Sequence, residues 1–369
     1  MRIAITGASG NAGTALLRRL QQESAELPGG LELVGISRRT PDTSQAPYSG
    51  VEWHAADVGL DGEPDNGLRA AFAGADAVVH LAWQVQPNRN LALLHRTNVT
   101  GTANVLAAAK EAGVSHLVCA SSVGAYSKAD KDRRVDEGWP VNGMAGSHYS
   151  RDKAEQEALL HQFAADNPSI AVAWLRPGLI FQQDAGSEIG RYFLGLVHPR
   201  FVPRRPALPI LPIPNELVFQ AVHADDVADA YWRILERRAT GAFNVAAEPV
   251  ITPQNLARLF HARRILPIPV RFLHAFVDAT WRLRLQQTDS GWVEMAAGAP
   301  IMETARARKE LGWEPRTSSL AAIKEVIEGM GEGAGIAPSP PLKPRRPLWQ
   351  ATAALARRWP PRRWVQGRG

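Results

Sequence analysis

The chain has 369 residues, 45% of them hydrophobic and 21% charged, with a formal net charge of +6 and one cysteine. Length alone suggests about two domains of ~150 residues, or one large α/β unit with additions, and this composition excludes wholesale disorder. Cys119 excludes both an internal disulfide and a cysteine-based zinc site. No uncharged apolar run reaches the ~18 residues of a spanning helix. The N-terminus enters a strand-like run directly, without a signal region, so a cytoplasmic location is the expectation.

The positive charge is unevenly distributed. Gly333 to Gly369 holds eight basic residues and no acidic one, leaving 34 basic and 36 acidic residues before it, a net of −2. The body is nearly neutral and the basicity belongs to the end of the chain.

In chain order, Ile3–Thr6 reads as a strand and Ala12–Gln22 as a helix. Leu31–Ile36, Val51–His54 and Ala75–Ala82 follow as strands, then a long helix over Leu91–Ala112. His116–Ala120 is a strand, Tyr149–Ala165 a helix and Ile170–Leu175 a strand. Strands alternating with helices of 10–20 residues predict an α/β fold with a doubly wound parallel sheet. Five prolines in Val202–Pro214 favour an extended excursion. Beyond it come a strand at Phe219–His223, a helix at Asp225–Arg237 and a strand at Ala242–Val245. Helices are also predicted at Pro253–Ala262, with Thr252 as N-cap, and at Met302–Leu311.

This gives a main α/β domain over 1–178, with 219–246 returning to it. A smaller discontinuous lobe comprises 179–218 and 247–330, and a Pro/Arg/Trp-rich tail runs over 331–369. In the tail, Trp349, Trp359 and Trp364 interleave with arginines, and Leu348–Arg358 could form a short amphipathic helix. Contact with an anionic membrane surface or nucleic acid is one reading of it; disorder, or docking on the body, is another.

Between the first strand and first helix lies Thr6-Gly7-Ala8-Ser9-Gly10-Asn11-Ala12-Gly13. Gly7 permits the tight turn, Gly10 lets the backbone approach a pyrophosphate, and Gly13 allows close helix–strand packing. The helix N-terminus adds unpaired N–H groups and a favourable dipole for the anion. No Gly-Lys-Ser/Thr follows, which disfavours a nucleoside-triphosphate loop. Gly7, Ser9, Gly10, Asn11, Ala12 and Gly13 are therefore cofactor-contact candidates. Tyr149-Ser150-Arg151-Asp152-Lys153 puts a phenol and an ammonium four residues apart on one helix face. A nearby cation favours phenolate and lowers a phenol pKa that is otherwise ~10. Ser121 and Ser122 follow the His116–Ala120 strand, at the carboxyl edge where doubly wound folds bind ligands.

With these motifs in order, the chain resembles the extended short-chain dehydrogenase/reductase superfamily, specifically the NAD-dependent epimerase/dehydratase family, from Arg2 to about Met330. Further segments carry the resemblance: Asp76–Ala82, Asn98–Leu106, Ser121–Tyr126, Leu175–Gly178, Val222–Ala228 and Ala305–Trp313. The resemblance implies a Rossmann-type fold, Ser122 as catalytic serine, Tyr149 as acid/base and Lys153 holding the nicotinamide ribose. It also implies that Asp57 contacts adenine, that Leu81, Ala82 and Ser121 line the cofactor, and that Pro177 abuts the nicotinamide. Asn98 is an architectural, water-relay or cofactor-side residue on the same basis.

The second strand ends Ile36-Ser37-Arg38-Arg39. NAD-binding sites place an acidic side chain there, whereas arginine suits a 2′-phosphate. Ser37 with Arg38 therefore favours NADP(H), with NAD(H) as the alternative. The family's nucleotide-sugar enzymes resemble one another in carrying asparagine three residues after the arginine that matches Arg176, and an Arg-Asp pair before the Val-His segment. Here Leu179 and Phe219-Gln220 stand in those places. The expectation is an enzyme acting at a carbonyl or alcohol carbon of a small molecule other than an ordinary nucleotide sugar, by reduction, epimerisation or dehydration. Trp83 either walls the substrate pocket, as Leu179 does, or packs structurally. A non-catalytic dinucleotide sensor or scaffold on the same fold is the alternative function. By family analogy a homodimer is expected. His80, His116, His223 and Asp226 read as structural, Cys119 as inert, and no metal site is expected.

Overall fold

The computed structural model describes residues 1–60, 67–86, 89–193 and 208–345. Its centre is a seven-stranded sheet of β1 (Arg2–Thr6), β2 (Glu32–Ser37), β3 (Glu52–Ala55), β4 (Ala77–His80), β5 (His116–Ala120), β7 (Ala171–Pro177) and β11 (Gly241–Val245); β6 (Arg134–Val135) lies outside it. The order across the sheet is β11-β7-β5-β4-β1-β2-β3, and every pair is parallel. The period-two alternation of each strand divides the core in two. Ile3 and Ile5 face Leu16, Leu17 and Leu20 of α1 (Asn11–Glu26) and Val227, Tyr231 and Ile234 of α7 (Ala224–Arg237). Ala4 faces the other way, with Leu68 and Phe72 of α2 (Leu68–Phe72), Val105 and Leu106 of α4 (Gly101–Glu111), and Leu160 of α5 (His148–Asp166). Helices thus cover both faces of a doubly wound, Rossmann-type sheet. The chain reverses direction across it between β1 and β4, where such folds open a crevice at the strands' carboxyl ends.

The helix expected over Leu91–Ala112 is divided. α3 (Leu91–His95) passes into a π-helical turn at Arg96–Thr100 before α4 begins. The strand expected at Phe219–His223 does not return to the central sheet. As β10 (Ala221–His223) it pairs with β8 (Leu179–Phe181), and only β11 rejoins β7. Two further two-stranded ribbons, β9 (Ile210–Ile213) with β12 (Arg264–Pro267) and β6 with β13 (Ile301–Met302), build the smaller lobe. They do so together with α6 (Gly186–Phe193), α8 (Pro253–Leu259), α9 (Val270–Arg282) and α10 (Gly291–Gly298). Thr252 caps α8 as expected, in a reciprocal capping box with Asn255.

The chain end departs most from expectation. α11 (Ala305–Leu311) is followed by α12 (Ser319–Glu332), which runs through the glycines read as a linker. Residues 333–345 then fold back onto the body: Ile336 and Leu342 are buried in the core beside α1 and α7. The tail boundary at 331 is thereby corrected for residues up to 345, because two apolar side chains and buried backbone hydrogen bonds offset the entropy of ordering this Gly/Pro-rich stretch. The remainder of the tail, with Trp349, Trp359 and Trp364 and the stretch Leu348–Arg358, lies outside the described residues, as does the first half of Val202–Pro214. No helix among the described residues is long and apolar enough to cross a membrane.

Candidate active site

At the end of β1 the backbone turns through Gly7 at φ +72°. A Cβ there would stand 2.7 Å from the Ala82 nitrogen, so the turn admits only glycine. Gly13 packs as tightly, for a Cβ on it would overlap the Gly7 carbonyl oxygen. Gly10 takes the N-cap position of α1 without a side-chain cap, and no acidic residue lies in the first turn, so the first N–H groups of α1 receive no side-chain acceptor from that position.

A cleft of about 480 Å³ opens beside this turn. Gly7, Ser9 and Gly10 line one wall; Ser37, Arg38 and Asp57, from the ends of β2 and β3, line the adjoining part; Leu81, Ala82 and Trp83 follow β4. The Arg38 guanidinium donates to Gln84 Oε1 at 2.7 Å, and Ser37 Oγ donates to the Arg39 carbonyl at 2.9 Å. Asp57 Oδ1 accepts from the Gly59 N–H at 3.0 Å. Asn11 begins α1 and is tied to Gln182, while Ala12 and Gly13 continue the helix behind the loop.

Six residues expected on the cofactor do not line this cleft: Asn11, Ala12 and Gly13 of the helix start, and Asn98, Ser121 and Pro177. Asn98 is buried in the π-helical turn and grips Gln84, accepting from its N–H at 2.7 Å and donating to its carbonyl at 2.9 Å, so it shapes the segment after β4. The Ser121 hydroxyl donates to Glu157 beneath the sheet edge. Pro177 closes β7 against Val245.

Tyr149 and Lys153 lie on the first turns of α5, which Ser147 caps by accepting from the Ser150 N–H at 3.3 Å. Lys153 is buried at 2% exposure. Its Nζ donates to the Ala120 carbonyl at 2.7 Å and to Gln156 Oε1 at 3.0 Å, and stands 3.4 Å from the centroid of the Trp83 ring. Burial outweighs these partners and pushes its pKa down to about 7. The Tyr149 ring sits between Trp83, 5.8 Å away edge-on, and Trp292, 4.9 Å away. Burial raises the phenol pKa, and a hydrogen bond with Ser122 offsets part of the rise. Ser122 Oγ also accepts from the Gly124 N–H at 3.0 Å. The expected depression of the Tyr149 pKa by Lys153 is not present in this arrangement, where burial of the phenol dominates and Lys153 Nζ is turned to Ala120, Gln156 and the Trp83 face. The Trp83 indole N–H is itself buried without a hydrogen-bond partner.

Beyond Val123 lies a second cavity of about 130 Å³, walled chiefly by apolar side chains including Leu179, Leu217, Phe219 and Met295. Its one amide side chain, Gln220, is occupied by both backbone groups of Met302 (2.7 and 3.2 Å). Met295 Sδ is within 2.9 Å of the Cβ that Gly124 lacks, and a Tyr149 ring carbon within 3.0 Å of it, so the apolar cavity adjoins the phenol.

Behind the site, sequence reasoning missed a buried ion pair. Arg176 on β7 meets Glu157 on α5 through two bonds (2.8 and 2.5 Å) and also donates to Tyr126 Oη at 2.8 Å. Glu157 further accepts from Ser121 and from the Trp174 indole at 2.9 Å. These partners are scattered over four segments, which no local spacing rule could have joined. His80 bridges Thr6 (2.7 Å) and Thr102 (3.0 Å), and burial pushes its pKa down to about 3, leaving it a neutral structural link. Cys119 is buried with its thiol pushed up to about 12. No cluster of metal-ligating side chains occurs among the described residues.

Residues 3–246 match the family model described as NAD dependent epimerase/dehydratase family, and the chain belongs to that family. It is similar to an uncharacterized protein of Mycobacterium tuberculosis, 28% identical over 330 residues; the match covers 88% of this chain but only 29% of that relative's length. It is also similar to the 4-hydroxy-2-methyl-3-oxo-4-farnesyl-3,4-dihydroquinoline-1-oxide ketoreductase of Stigmatella aurantiaca, 27% identical over 50% of this chain and 52% of the relative. Among solved structures, the UDP-glucose 4-epimerase of Thermus thermophilus in complex with NAD superposes with a TM-score of 0.62 at 20% identity, covering 89% of this chain and 99% of that one. That likeness establishes the shared fold.

Proposed function

We propose that this protein is an NAD(P)-dependent enzyme moving a proton and a hydride at a carbonyl or alcohol carbon of a largely apolar small molecule. The observation that carries this reading is that the Ser122–Tyr149 pair, with Lys153 one helical turn on, packs against Trp83 of the glycine-loop cleft on one side and, beside Gly124, near Met295 of the apolar cavity on the other.

The cleft suits a dinucleotide by its own chemistry. The uncapped α1 N-terminus would receive an anion, and Gly7, Ser9 and Gly10 offer backbone rather than bulk. Asn11, Ala12 and Gly13 set that helix end, Asp57 would hold the adenosine half, and Leu81 and Ala82 would lie along the ribose. Arg38 with Ser37 favours a 2′-phosphate, hence NADP(H); the family's name and the NAD of the Thermus epimerase keep NAD(H) as the alternative. When bound, the nicotinamide supplies or accepts the hydride.

In the reducing direction Tyr149 Oη gives its proton to the substrate oxygen as negative charge develops there, and Ser122 Oγ donates a hydrogen bond to the same oxygen. In the oxidising direction the phenolate takes the proton back. Lys153 serves both directions by holding ribose hydroxyls and by stabilising phenolate, which requires the Trp83 ring to leave its face. Leu179 and Phe219 line an apolar space where a diphosphate would need polar partners, which supports an apolar substrate over a nucleotide sugar. The naming of the Stigmatella relative as a ketoreductase of a farnesylated quinoline agrees with that substrate class.

The test is mass spectrometry of dinucleotide co-purifying with the protein, followed by turnover of a panel of apolar ketones and alcohols with NADH and NADPH. Tyr149→Phe is expected to lower kcat about 10²- to 10⁴-fold while leaving dinucleotide affinity intact. Undiminished turnover in that variant overturns the assignment.

A further inference from the structure

The segment after α12 does more than cover the core. Gly333, at φ +66°, reverses the chain. Hydrogen bonds from Ile336 N–H to the Leu342 carbonyl (2.9 Å) and from Arg345 N–H to the Gly333 carbonyl (3.2 Å) then close it into a loop. At its tip Ser339 is completely buried. Its hydroxyl donates to the carbonyl of Ser9, within the glycine turn, at 2.8 Å and accepts from the Leu342 N–H at 3.1 Å. The Pro338 carbonyl accepts from the Asp42 N–H at 3.0 Å. The loop is thus fastened to the two segments that border the cleft, one after β1 and one after β2. Pro340, Pro341 and Arg345 line the same cleft as Ser9 and Gly10. α6 braces this arrangement: the Arg191 guanidinium donates to the Pro341 carbonyl, and Ser187 Oγ accepts from the Arg345 N–H at 3.2 Å.

We propose that residues 333–345 form a strap completing the dinucleotide site, with Arg345 and Arg191 binding the pyrophosphate across from the glycine turn. This rests on the reading of the cleft as a dinucleotide site. Four arginines line the cleft: Arg38, Arg39, Arg191 and Arg345. The first two follow β2, the strand end where the dinucleotide reading puts the adenosine ribose. Arg191 and Arg345 belong to the elements joined to the glycine turn through the strap. A pyrophosphate carries two negative charges, and a guanidinium meets phosphate oxygens with paired, charge-assisted hydrogen bonds. Two carboxylates share the cleft, Asp57 at the adenosine end and Glu188 on α6. Glu188 accepts from Tyr192 Oη at 3.0 Å, and its burial pushes its pKa up to about 7, which weakens its opposition to an anion at neutral pH. The glycine turn thereby offers backbone N–H groups from one side while the strap offers cations from the other.

The experiment is equilibrium binding of NADH, NADPH and ADP-ribose to the full chain and to Arg345→Ala, Arg191→Ala and Arg38→Ala, with thermal melts confirming that each is folded. The pyrophosphate is common to all three ligands, so Arg345→Ala and Arg191→Ala are expected to weaken all three by a similar factor of about tenfold. Arg38→Ala is expected to weaken NADPH alone. Ser339→Ala, which unpins the strap while leaving every arginine in place, is expected to speed ligand release. Unchanged affinities in folded Arg345→Ala overturn the strap's role as ligand while leaving the dinucleotide reading intact. A loss confined to NADPH moves Arg345 to the 2′-phosphate and overturns the pyrophosphate assignment. A full chain that binds none of the three ligands overturns the dinucleotide reading itself.

Discussion

The central sheet and the α9 helix of the smaller lobe stand at opposite extremes of packing. Ile3, Ile5, Val78, Val79 and Leu117 in the sheet are sealed from solvent between two helical layers. α9 has no buried residue at all, and Phe272 and Phe276 on it are 57% and 65% exposed. The difference shows where each kind of constraint acts. Ser122, Tyr149, Lys153 and the glycine turn, the residues proposed for proton transfer and for one wall of the dinucleotide site, stand on the sealed half, where packing fixes position to within a rotamer. α9 in the smaller lobe is lightly packed, which leaves that part of the molecule freer to move.

The sharpest way to break that contrast is to disturb the sealed half. Glu157→Leu leaves the Arg176 guanidinium buried without its counter-charge and strands the Ser121 and Trp174 donors. A loss of about 3–5 kcal/mol in urea unfolding is expected, the cost of uncovering one member of a buried pair. A loss below about 1 kcal/mol would show that α5 and β7 are held by apolar packing alone.

A pH-dependent effect of comparable size is expected at Lys153. Its pKa falls from an ordinary 10.5 to about 7 on folding, so between those values the folded chain binds fewer protons than the unfolded chain. Stability from this group therefore rises with pH across that window and is lowest below it. Lys153→Met removes the dependence, and its stability advantage over the wild type is expected to shrink steadily between pH 7 and pH 10. An advantage that does not change with pH would place the ammonium in better-solvated surroundings than the structure gives it.

The least effect is expected on the exposed helix. Phe276→Ser leaves no cavity and unpairs no polar group, and a change within about 0.5 kcal/mol is expected by the same unfolding measurement. A larger loss would mean that α9 is covered in solution and that the contrast between the halves is overdrawn.

The same division separates what could be read from the sequence from what could not. The glycine turn, the alternating strands and Tyr149-x-x-x-Lys153 are patterns local in the chain, each set by one turn, one strand or one helix face, and the corresponding turn, strands and helix are present in the fold. The contacts that refine the site are between distant segments: Trp83 over Lys153, Ser339 on Ser9, Arg176 on Glu157. Asn98 and Ser121 matched family segments, yet their side chains serve Gln84 and Glu157, and only the fold shows which way each points. Residues 333–345 read as a linker because glycine and proline mark one by composition. The same residue types also suit an extended strap that must reverse direction and lie flat along a cleft.

Whether Tyr149 governs hydride transfer at a carbonyl carbon is the central question. The decisive measurement is a single-turnover reaction of the full chain with nicotinamide cofactor deuterated at the transferring position and an apolar ketone, read by mass spectrometry of the product alcohol. One deuterium on the carbinol carbon in the wild type, and a rate at least about 10²-fold lower in Tyr149→Phe at equal cofactor occupancy, is the expected result. Deuterium transfer at the wild-type rate in Tyr149→Phe, or product without deuterium, would contradict it.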